Sequence, residues 1–180
     1  MDLLAFAAII GKLKTLKRTG WVMHDIPEPE SVADHSFRLA MLSMVLADKF
    51  GADQAKTVKM ALLHDVGEAI IGDIVTQRGS KILPNREAKQ AQELVAFRKI
   101  SKVAGFEDEW TPLFEELLAN KTPEAKLVNQ LDRLEAAIQA NEYEDLHGLD
   151  PTEWLENTAS HLHSPELIEV LEKLKSKPAR

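Results

Sequence analysis

Apolar residues recur three and four positions apart along almost the whole chain, which is the spacing of one face of an α-helix. No segment shows the strict alternation of apolar and polar residues that is typical of a half-buried strand. The chain also has no repeat, no low-complexity tract and no internal linker. The pattern therefore predicts an all-α fold, a single domain over residues 1–180 with about eight helices.

Capping residues, prolines and glycines divide this pattern into segments. Ser31 and Asp34 have the spacing of a capping box, in which two residues satisfy each other's backbone groups at a helix start. Asp53 is a second candidate cap, and Thr122 followed by Pro123 is a third helix-start signal. The predicted helices cover residues 3–17 (before Gly20), 31–51, 53–69, 85–104 (before Gly105), 109–119 and about 122–143, with two more opened by Pro151 and Pro165 and an acidic, proline-rich loop at 21–30.

The composition is that of one globular domain, since 44% of the 180 residues are hydrophobic and 28% are charged. The net charge of −7 and the isoelectric point of about 5.4 disfavour a general nucleic-acid groove, which needs a basic surface. Lys12, Lys14, Lys17 and Arg18 cluster near the N-terminus, but the helix dipole favours lysines at a helix end without any ligand. We therefore expect no nucleic-acid polymer among the partners of this chain.

The N-terminal segment MDLLAFAAIIGKLK is apolar, but it lacks the basic start and the cleavage-site pattern of a signal peptide. Its apolar run is also too short to span a bilayer. We expect it to form the first helix of a cytoplasmic protein that does not bind membranes. The sequence contains no cysteine, so any metal ion must be held by histidine or carboxylate side chains.

The segment ALLHDVGEAIIGD places His64, Asp65, Glu68 and Asp73 in a mostly apolar stretch. Burying such charges is costly unless a partner compensates them. A bound cation would compensate these charges if side chains from other parts of the chain bind it together with this segment.

Two further predicted helices carry suitable side chains on their apolar faces. His35 lies between Val32 and Leu39, and Asp132 shares a face with Val128. A lone histidine on an apolar face is more often a core residue than a ligand, so the combination matters more than His35 alone. Together with His64 and Asp65, these residues give two histidines and two aspartates. That set suits a divalent cation of the Mn, Co, Fe or Zn kind, with positions left open for water.

The chain contains a second His-Asp pair, His24 and Asp25, shortly before Pro27. This copy lies in the predicted proline-rich loop, whereas His64 and Asp65 lie in a predicted buried helix and have possible partners on two other helices. We interpret it as part of a surface turn without a ligand role. The remaining histidines, His147, His161 and His163, are expected at the surface or at helix ends.

The ordered motifs RTGW, PESVADHSFRLA, ALLHDVGEAIIGDI and AKLVNQLDRLEAAIQANEYE resemble the HD-domain phosphohydrolase superfamily. In that superfamily a histidine, a His-Asp pair and a later aspartate follow one another along an all-α chain. The motifs are most similar to those of the HD-type 5'-deoxynucleotidases, over nearly the whole chain and most weakly over residues 77–120. The resemblance implies hydrolysis of a deoxyribonucleoside 5'-monophosphate to deoxynucleoside and phosphate.

Matching the motifs residue by residue assigns the site. The resemblance implies that the metal ligands are His35, His64, Asp65 and Asp132. It implies that Glu68 is the catalytic acidic residue beside the attacking water or the leaving oxygen.

The same resemblance implies that Arg18 binds the phosphate and that Trp21 shapes the part of the site that holds the nucleoside. It also implies that Asp73 completes the catalytic site by contacting the sugar. In the bacterial branch of the family the arginine and the tryptophan are adjacent, whereas Thr19 and Gly20 separate them here. The eukaryotic branch is closer to this spacing. The alternatives are that Asp73 caps or tethers the following loop and that Trp21 packs in the core.

Glu68 follows His64 by four residues and Asp65 by three, so we expect it on the same side of one helix. The alternative is a carboxylate that only completes the helix surface. A divalent cation makes water nucleophilic at neutral pH and neutralises charge on phosphoryl oxygens, and a guanidinium can hold two of those oxygens at once. The chemistry of these residue types therefore agrees with phosphate ester hydrolysis.

No histidine lies between Asp65 and Asp132, whereas two-metal members of the superfamily generally add histidines there. The expected cofactor is one divalent ion, which can be Mn, Co, Mg, Fe or Zn, and the resemblance also implies a homodimer. One alternative is another HD phosphohydrolase that acts on a nucleoside triphosphate, a nucleotide alarmone or a cyclic nucleotide. Another is a non-catalytic helical module in which the metal only stabilises the fold.

Overall fold

A computed structural model describes residues 1–75 and 86–176, and the backbone of residues 77–78 and 81–82. Among these residues, eight α-helices have nine residues or more, which confirms the predicted all-α class. No helix in this described part is both long and apolar enough to cross a membrane. The α-helical segments are α1 (Leu3–Gly11), α2 (Thr19–Val22), α3 (Val32–Leu46), α4 (Gln54–Leu63), α5 (Glu68–Ile71), α6 (Arg86–Ala104), α7 (Glu107–Ala119), α8 (Pro123–His147), α9 (Thr152–His161) and α10 (Pro165–Lys175).

Two very short strands, β1 (Gln77–Arg78) and β2 (Lys81–Ile82), pair antiparallel between α5 and α6 in chain order. The sequence predicts no strand here, because two residues are too few to show an alternating pattern. The predicted start of the fourth helix at Asn85 lies outside the described residues. Its predicted end is confirmed, since α6 stops before Gly105, whose φ is 77°.

The chain divides into two compact units, Met1–Val128 and Asn129–Arg180, and the single-domain organisation stays a prediction. In the first unit, α3 packs along α4, and α6 packs against α1, α5 and α7. The buried rings of Phe97 and Phe114 stack where α6 meets α7, with their centres 4.2 Å apart. The first unit therefore has its own apolar core.

The second unit contains the rest of α8 together with α9 and α10. The hydroxyl of Thr158 donates to the backbone carbonyl of Arg133 at 2.9 Å. The side-chain oxygen of Gln130 accepts from the backbone N–H groups of His163 and Ser164, at 2.8 and 3.0 Å. These bonds attach both α9 and the start of α10 to α8.

The first helix is shorter than predicted. It ends at Gly11, and one 3₁₀ turn follows over Lys12–Lys14. Lys17 then pairs with Ser31 in an isolated antiparallel bridge. Such pairing requires extended backbone, so the helix cannot continue to Lys17. Gly20 accordingly lies inside the short α2 and does not end α1.

Both predicted caps of the site-bearing helices are confirmed. Ser31 and Asp34 form the capping box at the start of α3, each accepting from the backbone N–H of the other. The backbone N–H and the hydroxyl of Ser31 lower the pKa of Asp34. At the start of α4, the carboxylate of Asp53 accepts from the backbone N–H of Lys56 at 2.7 Å. These bonds fix where both helices begin.

The predicted third helix is broken. Its first part, α4, ends at Leu63, residues 64–67 form a turn, and α5 begins at Glu68. The apolar pattern hides this break, because Leu63, Val66 and Ala69 are all buried at a spacing of three. Gly67 lies against α6, where an added Cβ would be 3.2 Å from the backbone oxygen of Glu93. The break thus turns the chain so that α5 packs closely on α6.

Replacing Asp53 with alanine removes the side chain that caps α4. We expect the free energy of unfolding to fall by about 1 kcal/mol, which is the usual contribution of an N-cap side chain. Asp53→Asn keeps an acceptor oxygen and should retain most of that stability. Denaturant unfolding measures both variants. An alanine variant as stable as the parent would contradict the role of this cap.

Candidate metal centre

Three side chains of the first unit bring possible ligand atoms together. The Nε2 atom of His35 lies 3.2 Å from the Nε2 atom of His64. The Oδ2 atom of Asp65 lies 2.8 Å from Nε2 of His64 and 3.9 Å from Nε2 of His35. His35 is fully buried, and the other two side chains are mostly buried. Two ring nitrogens and one carboxylate oxygen therefore face a common point.

Two helices place these atoms. His35 lies on the buried face of α3, next to the buried Leu39 one turn later. His64 and Asp65 directly follow Leu63, in the turn after α4. The expectation that these two residues lie within a helix is therefore corrected. The short turn holds both of them towards α3.

A backbone contact fixes the ring of His64. Its Nδ1 atom lies 2.7 Å from the carbonyl oxygen of Ala61. A carbonyl oxygen can only accept a hydrogen bond, so Nδ1 carries a proton and Nε2 is the ring atom that remains for a metal ion. Metal-binding histidines are commonly oriented in this way. The Nε2 atom of His64 is thus directed towards His35 and Asp65.

The donor set and its spacing fit a divalent metal ion. Two donors about 2.1 Å from a cation and at right angles to each other lie roughly 3 Å apart. The 3.2 Å between the two Nε2 atoms agrees with this spacing. Imidazole nitrogen and carboxylate oxygen are also ligands that divalent transition metals accept. His35, His64 and Asp65 therefore form a cluster that can hold a metal ion.

Arg18 contacts this cluster from the residue just before α2. Its Nη1 atom donates to Oδ2 of Asp65 at 3.1 Å. Burial raises the pKa of Asp65, but the neighbouring His64, Arg18 and His35 outweigh burial and hold that pKa below its usual range. Asp65 is therefore an anion at neutral pH. The guanidinium lies next to a possible metal ligand, where it can meet the oxygens of a bound phosphate.

Glu68 does not share a helix with His64. The expectation that both residues point to one side of one helix is wrong, because α4 ends at Leu63 and Glu68 begins α5. Glu68 is nevertheless only 3% exposed, so it does not simply complete a helix surface. Burial, followed by the negative charges of Asp65 and Asp73, raises the pKa of Glu68 to about 10. In these surroundings its carboxyl group carries a proton at neutral pH.

Asp73 follows Gly72, whose φ of 81° lies in the region that favours glycine, so the chain turns sharply there. The Oδ2 atom of Asp73 accepts from the backbone N–H of Thr19 at 2.6 Å. The hydroxyl of Thr19 donates to the backbone carbonyl of Asp73 at 2.8 Å. The tether considered as an alternative for Asp73 is therefore present. It also holds the carboxylate close in space to the segment that carries Arg18.

Trp21 lies in α2 and not in the predicted loop. Its ring is only 2% exposed, and its Nε1–H donates to Oε1 of Glu30 at 2.9 Å. The structure thus places Trp21 in the core, as the alternative had it. Its contact with a nucleoside concerns a bound substrate and stays a prediction.

Asp132 lies in α8, within the second unit, where its Oδ2 atom is 3.8 Å from Nε of Arg133. Its side chain is partly buried, and its assignment as a ligand stays a prediction based on its motif. The other His-Asp pair lies in the turn after α2, where Asp25 is exposed and has a φ of 56°. That position agrees with the surface turn expected for His24 and Asp25.

Two charged residues of α6 near the site are not predicted from the sequence. The Nζ atom of Lys89 lies 3.9 Å from Oε1 of Glu68 and 3.2 Å from Oε1 of Glu93. Their only sequence signal is a lysine followed by a glutamate four residues later. That spacing is equally typical of a solvated helix surface, so it does not indicate a site.

Known proteins match this chain along nearly its whole length. The family model for the HD domain matches residues 10–175. The 5'-deoxynucleotidase HDDC2 of Danio rerio is 37% identical over 182 residues, which cover 99% of this chain and 89% of the relative. The 5'-deoxynucleotidase HDDC2 of Homo sapiens is 35% identical over 179 residues, which cover 97% and 85%. A solved structure from Pyrococcus horikoshii is 31% identical with a TM-score of 0.78, and the match covers 95% of this chain and 97% of that chain.

Replacing either His64 or Asp65 with alanine should remove the bound metal ion, because each change takes one ligand atom out of the cluster. Replacing a residue that only supports a ligand already costs about 10–100-fold in metal affinity, so losing a ligand should cost at least 100-fold. Metal content after gel filtration, measured by elemental analysis, tests this expectation.

His24→Ala and Asp25→Ala are the matched controls, since they alter the other His-Asp pair. Both should keep the metal content of the parent. Stoichiometric metal in His64→Ala or Asp65→Ala would show that the cluster is not the metal centre.

Proposed function

We propose that this chain, which belongs to the HD-domain family, is a metal-dependent 5'-deoxynucleotidase that hydrolyses deoxyribonucleoside 5'-monophosphates to deoxynucleoside and phosphate. The relatives that are named for this activity support the substrate class. The observation that carries the proposal is the convergence of His35, His64 and Asp65, with the guanidinium of Arg18 beside them. Such a site combines metal ligands with a phosphate-binding side chain.

One divalent ion, either Mn, Co, Mg, Fe or Zn, is the proposed cofactor. His35, His64 and Asp65 supply three of its ligands, and Asp132 is the proposed fourth. When bound, the ion supplies positive charge against the phosphoryl oxygens and lowers the pKa of water. The contact between Nδ1 of His64 and the carbonyl of Ala61 leaves Nε2 for the ion, and the low pKa of Asp65 keeps its carboxylate ionised.

In the proposed reaction, a water oxygen forms a bond to phosphorus while the bond from phosphorus to the 5'-oxygen breaks. The departing 5'-oxygen gains a proton from Glu68, and the proton that the water loses returns to Glu68 through solvent, so the products are hydrogen phosphate and a deoxynucleoside. Glu68 is the proposed catalytic acid, because a carboxyl group with a pKa of about 10 holds a proton that it can donate to the 5'-oxygen. Arg18 holds the phosphate in the correct position by contacting two of its oxygens.

Asp73 and Trp21 are the proposed contacts to the sugar. The carboxylate of Asp73 can accept a hydrogen bond from the 3'-hydroxyl, and its bonds with Thr19 hold it in one orientation. Ribose has the same 3'-hydroxyl, so this contact alone cannot reject it. Rejection requires a wall against the 2'-hydroxyl, and the ring of Trp21, fixed by Glu30, is the proposed wall.

A cytoplasmic location and a homodimeric assembly remain part of the proposal. Phosphate release from a panel of nucleotides distinguishes the proposal from its alternatives. A triphosphatase leaves monophosphates intact, and a non-catalytic module releases no phosphate from any of them. Chelator-treated protein should be inactive and should regain activity when Mn, Co, Mg, Fe or Zn is added.

Arg18→Ala should weaken substrate binding and turnover together, because the phosphate is held in both the ground state and the transition state. We expect kcat/KM to fall by roughly 100-fold, in line with the loss of a charge-assisted, two-pronged contact. Arg18→Lys should restore only part of it, since an ammonium is a point charge. Unchanged steady-state kinetics of Arg18→Ala would move the phosphate contact to another residue, and Lys14→Ala is the control for the general loss of a nearby positive charge.

The parent enzyme should use deoxyribonucleotides better than ribonucleotides. Replacing Trp21 with alanine should reduce this preference, because it removes the proposed wall against the 2'-hydroxyl. A pocket of ordinary apolar contacts discriminates against an added hydroxyl by about 100-fold, so a wall at that position should give the parent a preference of at least that order. The measurement is the ratio of kcat/KM for a deoxynucleotide and its ribo counterpart. Equal use of both sugars by the parent would refute the proposed specificity.

Asp73→Ala is the companion variant. It should lower kcat/KM for both sugars, since both have the 3'-hydroxyl, and leave their ratio close to that of the parent. A change in the ratio equal to that of Trp21→Ala would mean that Asp73, and not the ring, sets the preference.

A further inference from the structure

A positive charge on α6 lies next to Glu68 and has no part in the reaction proposed above. The ammonium of Lys89 is 3.9 Å from Oε1 of Glu68 and 3.2 Å from Oε1 of Glu93, which is one helical turn later. Burial lowers the pKa of Lys89, but its acidic neighbours, first of all Glu93, outweigh burial and raise that pKa above its usual range. Lys89 therefore remains a cation although most of its side chain is buried.

Tight packing fixes the distance between Lys89 and Glu68. Gly67, the residue before Glu68, leaves so little space that a Cβ would lie 3.2 Å from the backbone oxygen of Glu93 and 3.8 Å from the Cβ of Ala96. The start of α5 is thus held directly against the turn of α6 that carries Glu93. Glu93 in turn holds the ammonium of Lys89 in front of Glu68.

The two oxygens of Glu68 have different surroundings. Its Oε1 atom faces Lys89. Its Oε2 atom is buried and has no hydrogen-bond partner among the residues that the structure describes. A buried oxygen without a partner is costly in a folded protein, so its presence needs an explanation. A reacting water or the 5'-oxygen of a substrate would provide the missing partner.

We propose that Lys89, held by Glu93, is a positioning residue that orients Glu68, with Oε1 towards the ammonium and Oε2 towards the reacting oxygen. This inference rests on the proposed function, in which Glu68 transfers a proton. At 3.9 Å the ammonium acts by its charge and not by a short hydrogen bond. It also stabilises the carboxylate that forms when Glu68 donates its proton.

A lysine with a merely structural role would act differently. The pairs Lys173 with Glu169 and Lys175 with Glu172 lie on exposed parts of α10 and face solvent. Pairs of that kind contribute little to stability. Lys89 instead faces a side chain that is 3% exposed and whose second oxygen has no described partner. Its effect should therefore be seen in turnover and should disappear when Glu68 is changed.

The test is a double-mutant cycle on the full chain loaded with Mn²⁺, with deoxyadenosine 5'-monophosphate as substrate. Lys89→Met removes the charge and keeps the length of the side chain. It should lower kcat by about 10–100-fold, as the loss of a supporting residue commonly does, with KM and metal content unchanged within about two-fold. In the Glu68→Gln background, Lys89→Met should change kcat by less than about two-fold.

Two further variants make the test specific. Lys89→Arg keeps the positive charge and should recover most of the kcat lost in Lys89→Met. Lys99→Met removes an exposed lysine from the same helix and should leave kcat unchanged. The inference is overturned if the losses of Lys89→Met and Glu68→Gln multiply, if Lys89→Met raises KM or removes the metal, or if it has the kinetics of the parent.

The same four proteins of the cycle give a second readout without any substrate. Lys89→Met should destabilise the folded protein less in the Glu68→Gln background than in the parent, because the ammonium then no longer faces an ionisable carboxyl group. Fully additive changes in the free energy of unfolding would overturn the pairing. If the parent hydrolyses a different phosphate ester, the proposed substrate is wrong, yet both cycles still decide the role of Lys89.

Discussion

The site depends on how one short segment compensates buried negative charge. Asp65 and Glu68 are three residues apart, and both are largely withdrawn from solvent. Two buried carboxylates cannot both be ionised unless positive charge lies close to them. The structure gives the two carboxyl groups different pKa values. His64 and Arg18 hold the pKa of Asp65 low, whereas burial and the charge of Asp65 raise the pKa of Glu68 to about 10. One turn of chain thus provides an anion that can bind a cation and an acid that can donate a proton.

This separation is possible because the helix breaks after Leu63. A continuous helix would place Glu68 one turn after His64, on the side that faces the cluster of His35, His64 and Asp65. The break gives Glu68 a helix of its own, which packs against α6 and brings the carboxyl group next to Lys89. The two acidic groups therefore have different positive neighbours, Arg18 for Asp65 and Lys89 for Glu68.

The parts of the fold that depend on local chemistry are predictable from the sequence. The capping box of Ser31 and Asp34 and the cap at Asp53 involve residues only three apart, so their side chains alone indicate where α3 and α4 begin. That the first helix does not reach Lys17 is not predictable in this way, because Lys17 pairs with Ser31, which is distant in sequence. The spacing of apolar residues is analysed over a short stretch of sequence, so it does not reveal a partner that lies outside that stretch.

The residues of the candidate site likewise fall into those that the sequence predicts and those that it does not. His35, His64 and Asp65 are found because an imidazole or a carboxylate in an apolar setting needs a compensating partner, and motif order then suggests which residues meet. Lys89 and Glu93 are not predicted, because a lysine and a glutamate four residues apart are equally typical of an exposed helix. Only the burial of Glu68 and the close approach of Gly67 to α6 distinguish the pair from ordinary surface residues.

The segment before α2 links the elements of the site that are otherwise far apart in sequence. The backbone N–H of Arg18 donates to the carbonyl of Glu30, just ahead of the cap that starts α3. The next residue, Thr19, donates twice to Asp73 in the loop after α5. The guanidinium of Arg18 meanwhile contacts Asp65 after α4. Two successive residues thus set the positions of α3, the turn after α4 and the loop after α5 relative to one another. A change to Thr19 would therefore disturb the alignment of Arg18, the proposed phosphate contact, with Asp73, the proposed sugar contact, although Thr19 itself contributes neither group.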